Sequence, residues 1–125
     1  MADKQNVFYT EDHEWVEVNG STVRVGITDF AVEQLGDVVY VELPDVDDEL
    51  EAEEEFGSVE SVKSVSELYA PIAGTVSATN EDLEDAPETV NEDPFGKGWF
   101  LELAVEGDVD TSSLLDRAAY EKFIG

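Results

Sequence analysis

Cysteine is absent from this 125-residue chain, which excludes disulfides and thiol catalysis. Histidine occurs once, at His13. With no cysteine beside it, a zinc site is not expected, and no Ser-His-Asp constellation can be argued. His13 reads most simply as a half-buried strand histidine. Basic residues are scarce: six face 32 acidic ones, for a net charge of −26. So negative a surface repels nucleic acid and anionic membrane, because binding phosphates takes lysine and arginine. No apolar run approaches the roughly 20 residues that span a bilayer. Met1 to Thr10 has neither an apolar h-region nor an arginine-rich character, so no signal or transit peptide is read and a cytoplasmic location is expected. No glycine-rich phosphate loop appears. Asp45, Asp47, Asp48 and Glu49 begin like a calcium loop. The sixth position, Leu50, and the twelfth, Phe56, break the pattern, leaving a solvated acidic loop.

What is present suits one domain, with 42% hydrophobic residues and enough apolar side chains for a core. That core argues against disorder despite the charge. The acidic excess repels itself in dilute buffer, and molar salt shortens the screening length to about 3 Å. A protein that works at high ionic strength is expected.

Phe8 to Val18 reads as an opening strand, and Asn19-Gly20 as a hairpin signal leading into Ser21 to Ile27, where Val23, Val25 and Ile27 alternate with polar or small residues. Thr28-Asp29 can cap a short helix, Phe30 to Leu35, closed by Gly36. Asp37 to Leu43 is a strand stopped by Pro44. Asp45 to Glu55 holds eight acids in eleven residues. Thr75 to Ala78 and Trp99 to Val105 are strands. Between them, Asn80 to Asn91 reads as polar loop with a turn of helix near Leu83. Ser113 with Asp116 resembles a capping box opening a terminal helix over about 112–124, with Leu115, Ala119 and Phe123 on one face. The pattern gives a mainly β single domain, core about 7–105, with one internal and one C-terminal helix.

Lysine is rare enough for each to need an account: Lys4, Lys63, Lys97 and Lys122. Lys4 falls in a tail, and Lys122 suits a helix C-terminus. Lys63 sits in an ambiguous segment. Val59, Val62, Val65 and Leu68 recur every third residue, as in a helix. The β-branched and serine neighbours favour the helix less.

Several stretches, in order, resemble the glycine cleavage system H protein family over about Val7 to Val105. They are His13-Glu14-Trp15-Val16, Gly26-Ile27-Thr28, Leu35-Gly36-Asp37-Val38-Val39 with Val41-Glu42-Leu43-Pro44, and Val59-Glu60-Ser61-Val62-Lys63. Ala70-Pro71 with Gly74, Val90-Asn91 and Gly98-Trp99 follow. The resemblance implies a barrel-sandwich hybrid, or lipoyl/biotinyl hammerhead. Phe56 to Ser61 and Ser64 to Tyr69 then form a hairpin with Lys63 at its tip. It implies that Lys63 carries lipoate by an amide bond, which removes the lysine's charge. It further implies a carrier without catalysis of its own, serving pyridoxal-phosphate glycine decarboxylase, tetrahydrofolate-dependent aminomethyltransferase, dihydrolipoyl dehydrogenase and a lipoate-attaching enzyme, as a monomer. Glu14, Glu67 and, less directly, Asp12 fall by position where acidic groups can meet the loaded arm in a cleft. Ser64 departs from the alanine often found there, and the Asp45 to Glu55 loop is unusually acidic. A lipoyl or biotinyl carrier, or a lipoate-relay protein, of another complex is the near alternative. A small hydrolase or deaminase using His13 and an unmodified acidic interaction module are the distant ones.

Overall fold

The computed structural model describes residues 7–105 and 114–124. Its strands are β1 (Val7–Tyr9), β2 (Glu14–Asn19), β3 (Thr22–Ile27), β4 (Val38–Glu42), β5 (Glu49–Leu50), β6 (Glu55–Ser61), β7 (Val65–Tyr69), β8 (Gly74–Thr79) and β9 (Leu101–Ala104). Its helices are α1 (Asp29–Leu35), α2 (Asp82–Asp85), α3 (Thr89–Glu92) and α4 (Arg117–Ile124). A six-stranded sheet runs β1-β2-β3-β9-β8-β5 and a three-stranded sheet runs β4-β6-β7, with every pairing antiparallel. Val16, Val23, Val25 and Leu103 of the first sheet share one buried cluster with Val38, Val41, Val59 and Leu68 of the second. This is the mainly β sandwich with short helices that the sequence implied.

The expected opening strand is in fact two. The chain turns at Thr10 to His13 and comes back as β2, pairing Tyr9 with Trp15. His13 makes the turn by taking a left-handed φ of 67°, a region in which histidine is among the more tolerant residues. The Asn19-Gly20 hairpin forms, one residue further on. Asn19 pairs with Thr22, leaving Gly20-Ser21 as the loop. Gly20 at φ 64° supplies the positive φ that a tight hairpin needs at that position.

The acidic stretch is not only loop, since Glu49-Leu50 pairs with Gly74-Thr75 and buries Leu50. The Asn80 to Asn91 segment makes two helical turns, α2 and α3, each burying one apolar residue, Leu83 and Val90. The terminal helix begins at Arg117, with Asp116 accepting a hydrogen bond from the Ala119 N–H at 2.8 Å. Ser113, the expected first residue of its capping box, lies outside the described residues. Its buried residue is Tyr120; of the expected Leu115-Ala119-Phe123 face, Leu115 lies ahead of the helix and bridges Tyr9, while Phe123, though 49% exposed, sets its ring against His13. Tyr120 stacks on Tyr9 at 4.9 Å and its hydroxyl meets Thr28 Oγ1 at 2.7 Å and His13 Nδ1 at 3.0 Å. Ring area and two polar contacts together outweigh what a terminal phenylalanine would bury.

Candidate functional site

Lys63 stands exposed in the middle of the three-residue link between β6 and β7, the two arms of one antiparallel hairpin. The helix-like spacing of the valines therefore gives way to strand pairing, with Val59 opposite Ser66 and Glu60 opposite Val65. Ser61 is what makes the turn. Its buried Oγ accepts the N–H of Lys63 at 3.2 Å and of Ser64 at 3.1 Å, and donates to the Ser64 carbonyl at 3.2 Å. The Ser61 N–H donates to the same carbonyl at 2.8 Å. A small hydroxyl side chain thus satisfies backbone groups that a tight turn would otherwise leave open.

Below the turn, the Val62 N–H donates to the Asp37 carbonyl at 3.1 Å, tying the tip to the link between α1 and β4. Asn91 of α3 holds that link from the other side. Its Nδ2 donates to the Gly36 carbonyl at 2.7 Å, and its Oδ1 accepts the Val38 N–H at 2.8 Å. Thr28 caps α1 by accepting the Ala31 N–H, and Gly36 ends it at φ 82° and ψ −150°, a conformation confined in practice to glycine. The Lys63 stem crosses this glycine, with Cε 3.2 Å from where a Cβ would stand. Ser61 and Asn91 are the residues that reading the sequence missed. Both lay inside quoted motifs, and nothing in local patterning assigned them a task.

Beside the hairpin lies a cavity of about 210 Å³. Asp12 and His13 line it from the β1–β2 turn, Ile27 and Leu35 from the ends of β3 and α1, and Ser64 and Glu67 from the hairpin. Two of the three expected acids, Asp12 and Glu67, therefore come together at this cavity, and both are exposed.

Glu14 is placed differently: it is not among the lining residues. Its side chain is buried to 1% exposure, where Oε2 accepts the Tyr69 N–H at 2.7 Å. Its Oε1 meets no hydrogen-bond partner among the described residues. Burial pushes the Glu14 carboxyl up to about 8; the Tyr69 N–H pulls against that rise and the Asp12 charge adds to it. Below that value the carboxyl is mostly protonated and keeps its O–H. The alternation of strand β2 explains the outcome only in part, since Glu14, Trp15 and Val16 are all buried. The Tyr69 backbone N–H, on the edge strand of the other sheet, meets the buried Glu14 carboxyl.

His13 lies in the turn before β2, not in the strand. Burial lowers its pKa and the Asp12 charge partly restores it. Its ring packs against Phe30 and Phe123 as well as Tyr120. Lys122 falls in the last turn of α4, as its charge suits. The described residues contain no cluster of three or more metal-capable side chains, and no helix among them is long and apolar enough to cross a membrane.

Comparison with known proteins bears on this arrangement. The profile of the family described as glycine cleavage H-protein matches residues 7–125. A probable glycine cleavage system H protein of Natronomonas pharaonis is 59% identical over 113 residues, covering 90% of this chain and 89% of that protein. The glycine cleavage system H protein of Bacillus licheniformis is 52% identical over 124 residues, covering 99% of this chain and 98% of its own. The crystal structure of a glycine cleavage system H protein from Mycobacterium marinum superposes with a TM-score of 0.86 at 38% identity, covering 95% of this chain and 96% of that one.

Proposed function

The chain belongs to the glycine cleavage H-protein family, the lipoyl carriers of the glycine cleavage system, and from that premise we propose that Lys63 is its point of lipoyl attachment. The observation that carries the reading is the exposed amine at the tip of a hairpin whose turn is fixed from beneath by Ser61, Asp37 and Asn91. An amide formed there places a long flexible arm on a rigid root, so that reaction partners meet by local search at raised effective concentration. When bound, the lipoyl ring supplies a disulfide that takes up an aminomethyl group and electrons and is later restored.

The chain's own residues provide shelter. The cavity beside Ser64 has Asp12 and Glu67 at its rim, suited to an ammonium, and Ile27 and Leu35 in its wall, suited to an aliphatic arm. Glu14, next in sequence to the lining residue His13 and protonated at neutral pH, offers a third carboxyl that ionises once a cation comes near. Exclusion of water matters because an aminomethyl adduct is prone to hydrolysis.

On this reading the carrier performs no catalysis. It is a single-domain monomer in the cytoplasm that visits pyridoxal-phosphate glycine decarboxylase, tetrahydrofolate-dependent aminomethyltransferase and dihydrolipoyl dehydrogenase, after a lipoate-attaching enzyme has loaded it. The test is intact mass from a lipoate-competent host, followed by reconstitution with the three enzymes. A lipoyl-sized increment that disappears in Lys63→Ala, together with glycine-dependent turnover, is expected. An increment retained in Lys63→Ala refutes the attachment site. Loading without glycine turnover transfers the protein to another lipoyl complex.

A further inference from the structure

Two segments besides the hairpin line the cavity. Asp12 and His13 do so from the β1–β2 turn, and Ile27, Ala31, Gln34 and Leu35 from the end of β3 and from α1. The β2–β3 ladder joins the two segments as far as the Glu14–Ile27 pair and the Thr28 N–H, which donates to the His13 carbonyl at 3.0 Å. Beyond that point α4 joins them, although none of its residues lines the cavity. The Tyr120 hydroxyl meets His13 Nδ1 at 3.0 Å and Thr28 Oγ1, the cap of α1, at 2.7 Å. The Tyr120 ring finds its packing against Tyr9, and a phenylalanine would bury the same ring. The hydroxyl adds a polar group at 0% exposure that must be satisfied, and both groups that satisfy it belong to the cavity's frame. Burial pushes the Tyr120 pKa up, so the phenol keeps its proton. α4 is itself anchored. The Tyr9–Leu115 bridge ties its approach to β1 through bonds of 2.7 and 2.8 Å, and Arg117 lies 3.7 Å from Asp29 of α1. At φ 67°, a glycine would make the His13 turn without strain, so the turn alone does not account for an imidazole there.

We propose that Tyr120 is a positioning residue for the loaded arm: its hydroxyl pins the His13 side chain to the start of α1 and so keeps the cavity closed to water around the aminomethyl group. The inference rests on Lys63 carrying that arm. The terminal helix is then a clamp on the shelter. It contributes nothing to the main apolar cluster, since Tyr120 packs in the smaller one with Val7, Tyr9 and Trp15. Tyr120 touches neither the arm nor the cavity, and acts through His13 and Thr28. With the pin removed, water reaches the adduct and adds its oxygen to the methylene carbon. The C–S and C–N bonds break, and protons go to sulfur and nitrogen. Formaldehyde, ammonium and the free dithiol result, with no redox change. Ordered walls that exclude water prevent this side reaction.

The test uses the full lipoylated chain in molar KCl, loaded from glycine by glycine decarboxylase and then separated from it. Intact mass follows the loss of the aminomethyl increment. Tyr120→Phe keeps the ring stack and removes the hydroxyl. It is expected to shorten the adduct's lifetime about fivefold or more, the scale of losing hydrogen bonds of ordinary strength. His13→Gly, which suits the turn, should shorten it likewise. Adding Tyr120→Phe to His13→Gly should change the lifetime by less than about twofold, because both variants cut one link. Dihydrolipoyl dehydrogenase should reoxidise the unloaded dithiol of Tyr120→Phe at the parent rate. The chain's one histidine gives a single imidazole signal, which loading of the parent should move. If Tyr120→Phe melts early, His13→Gly carries the comparison. Unchanged lifetimes overturn the proposal. So do additive losses in the double variant, an equal fall in the dehydrogenase step, or an imidazole signal indifferent to loading. A parent that takes up no lipoyl increment, or a Lys63→Ala that keeps one, instead defeats the attachment reading, and does so before any lifetime is measured.

Discussion

At the scale of single residues, Glu14 carries the clearest pH signature. In the folded chain it keeps its proton up to about pH 8, because burial penalises the carboxylate more than the Tyr69 N–H favours it. An unfolded glutamate releases that proton from its model value of 4.5 upward. The folded state therefore holds the extra proton between those limits, and stability falls as pH rises through the window, by roughly 1.4 kcal/mol per pH unit for this group. The lowered pKa of His13 acts with the opposite sign, its contribution being lost as pH falls. Glu14→Gln keeps the shape and an acceptor for Tyr69 and removes the titration. Its melting temperature should decline less than the parent's between pH 5.5 and 8.5 in molar salt, with the gap widening upward. Superimposable profiles would mean that Glu14 ionises in the fold as readily as outside it.

At the scale of elements, the hairpin depends on what lies beneath it. Asn91 bonds to both Gly36 and Val38, so one α3 side chain fixes the link from which the Lys63 turn hangs. Asn91→Ala forfeits both bonds and leaves a buried-side N–H and carbonyl to find water, a loss of about 2 kcal/mol. Denaturant unfolding should register that loss, and amide exchange should quicken first at Val38 and Val62. Exchange that quickens evenly across the molecule would contradict a local strap. The same elements show what a sequence discloses. Strand β3, helix α1 and its two caps were legible because alternation, Thr28 and Gly36 act within a few residues. The β1–β2 break was not, since His13 adopts a positive φ with no glycine to signal it. β5 was hidden in an acidic run because only Leu50 is buried there. The Lys63 hairpin was ambiguous from its valine spacing. Resemblance resolved it, and its physical basis, the Ser61 hydroxyl, is a tertiary detail of the turn. Asp12 and Glu67 line the same cavity, while the burial of Glu14 outside that lining required knowing where the Tyr69 N–H falls.

At the scale of the whole molecule, charge sets the conditions under which everything above operates. Thirty-two acids against six bases leave the surface with little internal neutralisation to draw on. Arg24 pairs with Glu102 at 2.7 Å, and Arg117 with Glu121 at 2.9 Å and Asp29 at 3.7 Å. These partly exposed pairs contribute at most about 1 kcal/mol each, too little to offset the mutual repulsion of the remaining carboxylates. The core that opposes this repulsion is an ordinary one, built from two small sheets. In dilute buffer, where the screening length reaches about 30 Å at 0.01 M, every carboxylate senses many others; at 1 M it falls to about 3 Å and only immediate neighbours interact. Folding compacts the chain and brings the charges closer, so salt must stabilise the folded state more than the unfolded one. The melting temperature should rise by several degrees between 0.01 M and 2 M KCl, at roughly 4 °C for each kcal/mol recovered. Most of the rise should come below 1 M, where the screening length changes most. A rise that begins only above 1 M would assign the effect to solvent exclusion from apolar surface instead. Equal melting temperatures across the range would show that the acidic coat costs the fold nothing, and the expectation of a high-salt working environment would go with it.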